Sequence, residues 1–240
     1  MMVQNKLKNI CICLIMLNII LTLFCIYIGC YKTDIFKYGI YKLKGEIYTV
    51  PRTDDDCIKS WNSCIRKLNI KADIVFFGNS ITEGGEFQDF FPDKKVVVLG
   101  YIGEDTKGML RRVEAITSVN PKKIFLMAGI NGLKKQKLED FSKWYELLVD
   151  SIQVTNPQAK IYIQSILPIT KESTFCDNNK INEANMLLKE LSRSKNIVFI
   201  DLHSKFNVNN SLKEELTFDG VHIKKEAYLI WVQEIRKYIN

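Results

Sequence analysis

Histidine is scarce in this chain: 2 of 240 residues, His203 and His222. Any reaction that needs an imidazole base is therefore confined to two positions. The 7 cysteines include no CxxC pair and no Cys/His ligand spacing, which excludes a zinc site. Cys11, Cys13, Cys25 and Cys30 fall in or at the end of an apolar N-terminus. Cys57 and Cys64 share a predicted helix, where two turns separate their α-carbons by about 10 Å, too far for a disulfide. Cys176 falls in a loop. No internal repeat, no low-complexity tract and no basic run with interleaved aromatics occurs, and the last absence excludes a nucleic-acid footprint. The formal net charge of +7 is spread in pairs such as Lys94-Lys95, Arg111-Arg112, Lys122-Lys123 and Lys134-Lys135. These read as solvated helix ends and loops.

What is present begins with residues 10–29, ICICLIMLNIILTLFCIYIG, an uncharged stretch whose main polar interruption is Asn18. It is long enough to span a bilayer core as a helix. Lys6 and Lys8 precede it, which favours an N-inside orientation with the rest of the chain outside, in a periplasm or at a cell surface. A cleaved signal peptide and a lipoprotein signal, with Gly29-Cys30 as its junction, stay open beside the membrane anchor. Residues 31–55 read as a polar and aromatic stem closed by Pro51 and Asp54-Asp55-Asp56. Residues 56–240 are then one domain, with 47% hydrophobic and 25% charged residues in the whole chain, near ordinary globular usage.

Within that domain short apolar runs alternate with amphipathic stretches. Strands are expected at 74–77, 96–99, 124–128, 161–166 and 197–200, each near-continuously apolar as a strand buried on both faces requires. Helical patterns cover 56–68, 106–117, 138–154, 180–192 and 225–239. The βαβαβ order predicts an α/β fold, a three-layer α/β/α sandwich around a mostly parallel five-stranded sheet. In such sheets ligands bind beyond the carboxyl ends of the strands.

The chemistry-bearing motifs follow the strands. Gly78-Asn79-Ser80-Ile81-Thr82 comes directly after the first and presents a serine hydroxyl on a strand-to-helix turn; it is not the GxSxG elbow. Asp219-Gly220-Val221-His222 precedes the last helix. A serine nucleophile needs a base and the base an orienter, and an Asp three residues before a His can fold back to hold the imidazole. His203 is the competing histidine, better read as a satisfied polar residue ending a strand. Gly129-Ile130-Asn131 follows the third strand, where the asparagine amide can donate to an oxyanion. The loop from Gly100 to Thr106 follows the second, where Gly103 can offer an unobstructed backbone N–H. Among the aromatics Phe87, Phe90, Phe91, Tyr101, Phe218 and Trp231, Phe87 and Tyr101 are the candidates to touch substrate.

Taken in order, these blocks resemble the SGNH (GDSL-like) hydrolases, whose blocks centre on Ser, Gly, Asn and His. The resemblance covers residues 72–239. Residues 77–85 match the first block, 100–110 the second, 129–131 the third and 216–222 the last, and 164–168 resembles the segment after the family's fourth strand. The flavour is that of the platelet-activating-factor-acetylhydrolase-like and bacterial carbohydrate esterase branches. Val98 stands where members often carry Asn, Glu104 where an Asp is usual, and Gly132 where an Asp commonly follows the block's Asn. The resemblance implies a flavodoxin-like sheet and a triad of Ser80, Asp219 and His222. It also implies an oxyanion hole from the N–H groups of Ser80 and Gly103 and the Asn131 side chain, and no metal or organic cofactor. The implied activity is a serine esterase that removes small acyl groups from a glycan or small-molecule ester, foremost O-acetyl groups on carbohydrate. A lipase or lysophospholipase-type acylhydrolase, an O-acyltransferase with the same triad and a non-catalytic binding module are the alternatives.

Overall fold

The computed structural model describes residues 16–19, 21–22 and 70–239. The chain divides into two compact units, Met1–Pro51 and Arg52–Asn240. In the first, the described residues are helical and exposed, and the Thr22 hydroxyl donates to Asn18 O at 2.7 Å. Among the described residues no helix is long and apolar enough to cross a membrane. Most of the 10–29 segment, the stem at 31–55, and the helix expected over 56–68 with Cys57 and Cys64 lie outside the described residues.

The second unit is an α/β sandwich around five parallel strands: β1 (Ile74–Asn79), β2 (Val96–Tyr101), β3 (Lys123–Met127), β4 (Lys160–Gln164) and β5 (Val198–Ile200). Their order is β2-β1-β3-β4-β5, and every pairing is parallel. The five expected strands all form, displaced by a few residues at their ends. Side chains alternate across the sheet as the strand period of two demands. Val75, Phe77, Ile124, Leu126 and Ile163 enter one apolar layer. Ile74, Phe76, Phe125, Met127 and Tyr162 enter the other. This two-sided burial is why the strands read as unbroken apolar runs.

The first layer is covered by helices at Thr106–Leu110 (α3), Val113–Val119 (α4), Leu138–Thr155 (α6) and Asn178–Ser194 (α7). The second is covered by short helices at Ser80–Glu83 (α1), Phe87–Phe90 (α2) and His203–Phe206 (α8), and by Lys225–Ile235 (α9). Ile130–Leu133 forms a further single turn, α5.

Two local features differ from expectation. The helix predicted over 106–117 is broken into α3 and α4 at Arg111-Arg112, and Arg112, read as half of a solvated pair, is 3% exposed. Its guanidinium turns inward to a carboxylate. A two-residue hairpin, Asn207–Val208 (β6) with Ser211–Leu212 (β7), was not foreseen. Its turn residues Asn209 and Asn210 both have positive φ, 52° and 59°, the pattern of a type I′ turn, which asparagine tolerates.

Candidate active site

β1 runs straight into the serine turn. Asn79 caps α1 by accepting the Ile81 N–H on Oδ1 at 3.0 Å. Ser80, partly exposed, is the first helical residue. The turn is tight because Gly78 and Gly100 have no side chain: a Cβ at Gly78 would lie 2.1 Å from Thr82 Oγ1, and one at Gly100 would lie 2.2 Å from the Glu83 nitrogen. The last helix secures the turn from behind, with Tyr228 OH donating to Ile81 O at 2.7 Å.

The Ser80 hydroxyl lies 2.9 Å from His222 Nε2, and His222 Nδ1 lies 2.7 Å from Asp219 Oδ2. An ionised carboxylate can only accept, so Nδ1 carries the ring hydrogen and Nε2 is left to accept from Ser80. The other Asp219 oxygen accepts the backbone N–H groups of Val221 at 3.0 Å and His222 at 2.8 Å. Burial pushes the Asp219 carboxyl upward, but the hydrogen bonds from His222 and Val221 together outweigh it and hold the group below its usual 3.8. The loop around the pair is closed on the Thr217 hydroxyl. Thr217 Oγ1 donates to His222 O at 2.6 Å and accepts the Gly220 N–H at 3.0 Å. Gly220 takes φ +84°, and its carbonyl accepts the Thr170 N–H at 2.9 Å.

The other side of the site is built on β2 and β3, the two neighbours of β1. Gly78 pairs with Gly100 on one side and with Met127 on the other, so the loops after these three strands leave the sheet side by side, at strand spacings of about 4.8 Å. Gly103 has φ +73° and nothing within 4 Å of where a Cβ would stand. Asn131, in α5, donates from Nδ2 to Glu104 O at 2.9 Å, which ties the two loops together. An amide has a second N–H beyond the one so used. Glu104 itself points into the protein, where Arg112 grips it from Nε at 2.9 Å to each carboxylate oxygen and again from Nη2.

A family model matches this architecture: residues 76–230 fit the GDSL-like Lipase/Acylhydrolase family. The chain belongs to that family. This acylhydrolase is 24% identical over 166 residues to the rat platelet-activating factor acetylhydrolase IB subunit alpha2, covering 66% of this chain and 72% of that one. A Streptococcus pneumonia structure, described as that of a candidate platelet activating factor, superposes with a TM-score of 0.69. It shares 25% identity, over 76% of this chain and 92% of that one. Axe2, an acetylxylan esterase from Geobacillus stearothermophilus, shares the fold at a TM-score of 0.58 and 18% identity, over 72% and 96% of the two chains. Membership of that acylhydrolase family makes the protein a carboxylic ester hydrolase.

The acylhydrolase brings Ser80, His222 and Asp219 together, and it brings Gly103 and Asn131 onto adjoining loops. It does not bring Phe87 to the site. That ring is wholly buried, stacked on Phe76 at 3.8 Å and edge-on to Trp231 at 5.2 Å, so it is core and cannot touch substrate. Tyr101 ends β2, half-buried. His203 is buried with its Nε2 unpartnered among the described residues, rather than satisfied as expected. Burial pushes its imidazole pKa down, and Ser80 pairs with His222 instead. Sequence reasoning missed the inward Arg112. The signal was its place on the apolar stripe Met109, Val113 and Ile116, at helical spacing.

Proposed function

We propose that Ser80, His222 and Asp219 form the catalytic triad of a serine esterase that removes small acyl groups, foremost O-acetyl groups of carbohydrate. The observation that carries the reading is the unbroken relay of 2.9 Å from Ser80 Oγ to His222 Nε2 and 2.7 Å from Nδ1 to Asp219. The acetylxylan esterase among the structural relatives supports the acetyl and carbohydrate preference.

In this reading His222 Nε2 takes the hydroxyl proton as Ser80 Oγ attacks the ester carbonyl. The oxygen of the tetrahedral intermediate sits against the N–H groups of Ser80 and Gly103 and the second N–H of the Asn131 amide. His222 returns the proton to the departing alcohol, leaving an acyl-serine. A water then gives a proton to His222 and attacks the acyl carbon, and His222 passes that proton to Ser80 Oγ as the carboxylic acid departs. Asp219 keeps the imidazole in the tautomer that accepts on Nε2 and stabilises its charged form. The exposed Ile102 and Phe218, which flank Gly103 and Asp219 in sequence, offer apolar surface for a sugar face.

The test is hydrolysis of p-nitrophenyl esters of increasing chain length by the full chain, beside Ser80→Ala. Serine-dependent turnover that favours acetate is the expected result. A preference for long chains would replace the carbohydrate reading with a lipid one, and turnover that persists in Ser80→Ala would sink the triad. Outward display by the 10–29 segment belongs to the same proposal. Intact cells then hydrolyse a membrane-impermeant acetyl ester; activity released only on lysis contradicts it.

A further inference from the structure

We propose that Arg112, acting through Glu104, is the positioning residue for the oxyanion hole, setting the Gly103 N–H and the Asn131 amide together. The inference rests on the oxyanion reading above and assigns what holds those two donors in place.

Among the described residues, chain neighbours aside, nothing lies within 4 Å of where a Cβ on Gly103 would stand. The loop has to be fixed from beneath, and beneath it stands a buried ion pair. Arg112 is 3% exposed and Glu104 7%. Besides gripping the Glu104 carboxylate, the guanidinium reaches Leu99 O with both terminal nitrogens at 3.4 Å. It thus bridges the strand before the loop to the residue after Gly103. The rings of Phe77 and Tyr101 lie 5.2 Å and 5.4 Å from its central carbon, which fixes the plane of the fork. Room is left for the carboxylate side chain by Gly108, where a Cβ would stand 2.6 Å from Glu104 Cγ. The same Glu104 offers its backbone carbonyl to Asn131 Nδ2 at 2.9 Å. One residue, pinned by one guanidinium, is therefore covalently next to the first donor and hydrogen-bonded to the second.

Stability does not account for the pair. Taking two charges out of water costs several kcal/mol per ion, and a well-packed apolar replacement is often as stable. Burial is indeed the largest influence on the Glu104 carboxyl and pushes it upward despite the guanidinium. What an apolar replacement lacks is orientation, and a planar fork supplies orientation that a lysine ammonium cannot.

The experiment compares Glu104→Gln, Glu104→Asp and Arg112→Lys with wild type and Ser80→Ala on p-nitrophenyl acetate, using the full chain. Reactive serines are counted in each preparation with a fluorophosphonate. In Glu104→Gln and Arg112→Lys, kcat per titrated serine is expected to fall about 10-fold or more with KM nearly unchanged, since the lost interactions are made in the transition state. The affinity of a trifluoromethyl ketone, whose adduct places an oxyanion on the same donors, is expected to fall in step with kcat/KM. Glu104→Asp, which keeps the charge, is expected to recover most of what Glu104→Gln loses. Wild-type kcat per titrated serine in both disruptive variants, whatever fraction is folded, would show that the pair serves folding alone and overturn the proposal, as would an Asp variant no better than the Gln one. The underlying reading fails separately, through turnover in Ser80→Ala.

Discussion

Asp219 and His222 lie in a surface loop, while Glu104 and Arg112 lie under the surface, and the two pairs are held by different means. His222 and Asp219 keep roughly two-fifths of their side-chain surface in water, 42% and 36%, against 4% and 6% for Arg112 and Glu104. The surface pair is three residues apart in sequence and is fixed by backbone N–H groups of its own loop. The buried pair is eight residues apart and is fixed by charge, by a strand carbonyl and by two aromatic rings. On the proposed mechanism the site thus has an accessible half that exchanges protons with substrate and water, and an enclosed half that only stays in place. A short hydrogen-bonded loop suits the first, and a rigid bracket in low dielectric, where electrostatic interactions are stronger, suits the second.

The sharpest way to break this comparison is at the accessible half. Asp219→Asn keeps the shape of the side chain but replaces the carboxylate acceptor, so His222 loses the partner that selects its tautomer. We expect kcat on p-nitrophenyl acetate to fall about 10⁴-fold with little change in thermal stability. A loss of only a few fold would mean that the loop backbone orients the imidazole without the carboxylate.

Next in size is Asn131→Ala, which removes the proposed oxyanion donor and also the tie to Glu104 O. A single such donor is worth about 10²–10³ in kcat. If the bracket around Arg112 fixes the Gly103 loop independently, the loss stays within that range. A larger loss, approaching that of Asp219→Asn, would show that the Asn131 tie is itself part of what places Gly103.

The unequal legibility of the two halves follows from how they are built. The arrangement of Ser80, His222 and Asp219 was readable because its parts are local: Ser80 comes just after an apolar run, and Asp219 and His222 sit three residues apart before the last helical pattern. The strands were readable because burial on both faces leaves their central positions almost wholly apolar. The bracket was harder to read, because it depends on one arginine turning inward: the stripe of Met109, Val113 and Ile116 pointed that way, but a basic pair in an amphipathic stretch is solvated far more often than buried. Glu104 stood out only as a departure from the family's usual Asp, with nothing in the sequence to name its partner. Phe87 misled for a related reason: an aromatic just after the serine turn suits a substrate platform and a core equally, and only its stacking on Phe76 decides between them. The N-terminal 10–29 segment remains an expectation from composition alone.

The smallest predicted effect is also the most direct contrast between the two carboxylates, because their titrations are shifted in opposite senses. Asp219 is held below 3.8 in the folded protein. Its hydrogen bonds therefore contribute stability that is fully present above that pH and is lost as pH falls through the lower folded value. Glu104 is raised above 4.5, chiefly by burial. Its contribution runs the other way: it is fully present below 4.5, where the carboxyl is protonated in both states, and is lost as pH rises through the raised folded value. Urea midpoints measured from neutral to acid pH for wild type, Asp219→Asn and Glu104→Gln separate the two. Relative to Glu104→Gln, wild type should gain stability as pH falls toward 4.5. Relative to Asp219→Asn, it should hold constant over that interval and lose stability only below 3.8. Difference curves that bend the same way would mean that Glu104 keeps its charge as readily as Asp219 does. The guanidinium would then offset burial in full, and a buried bracket would differ from a surface loop in geometry alone.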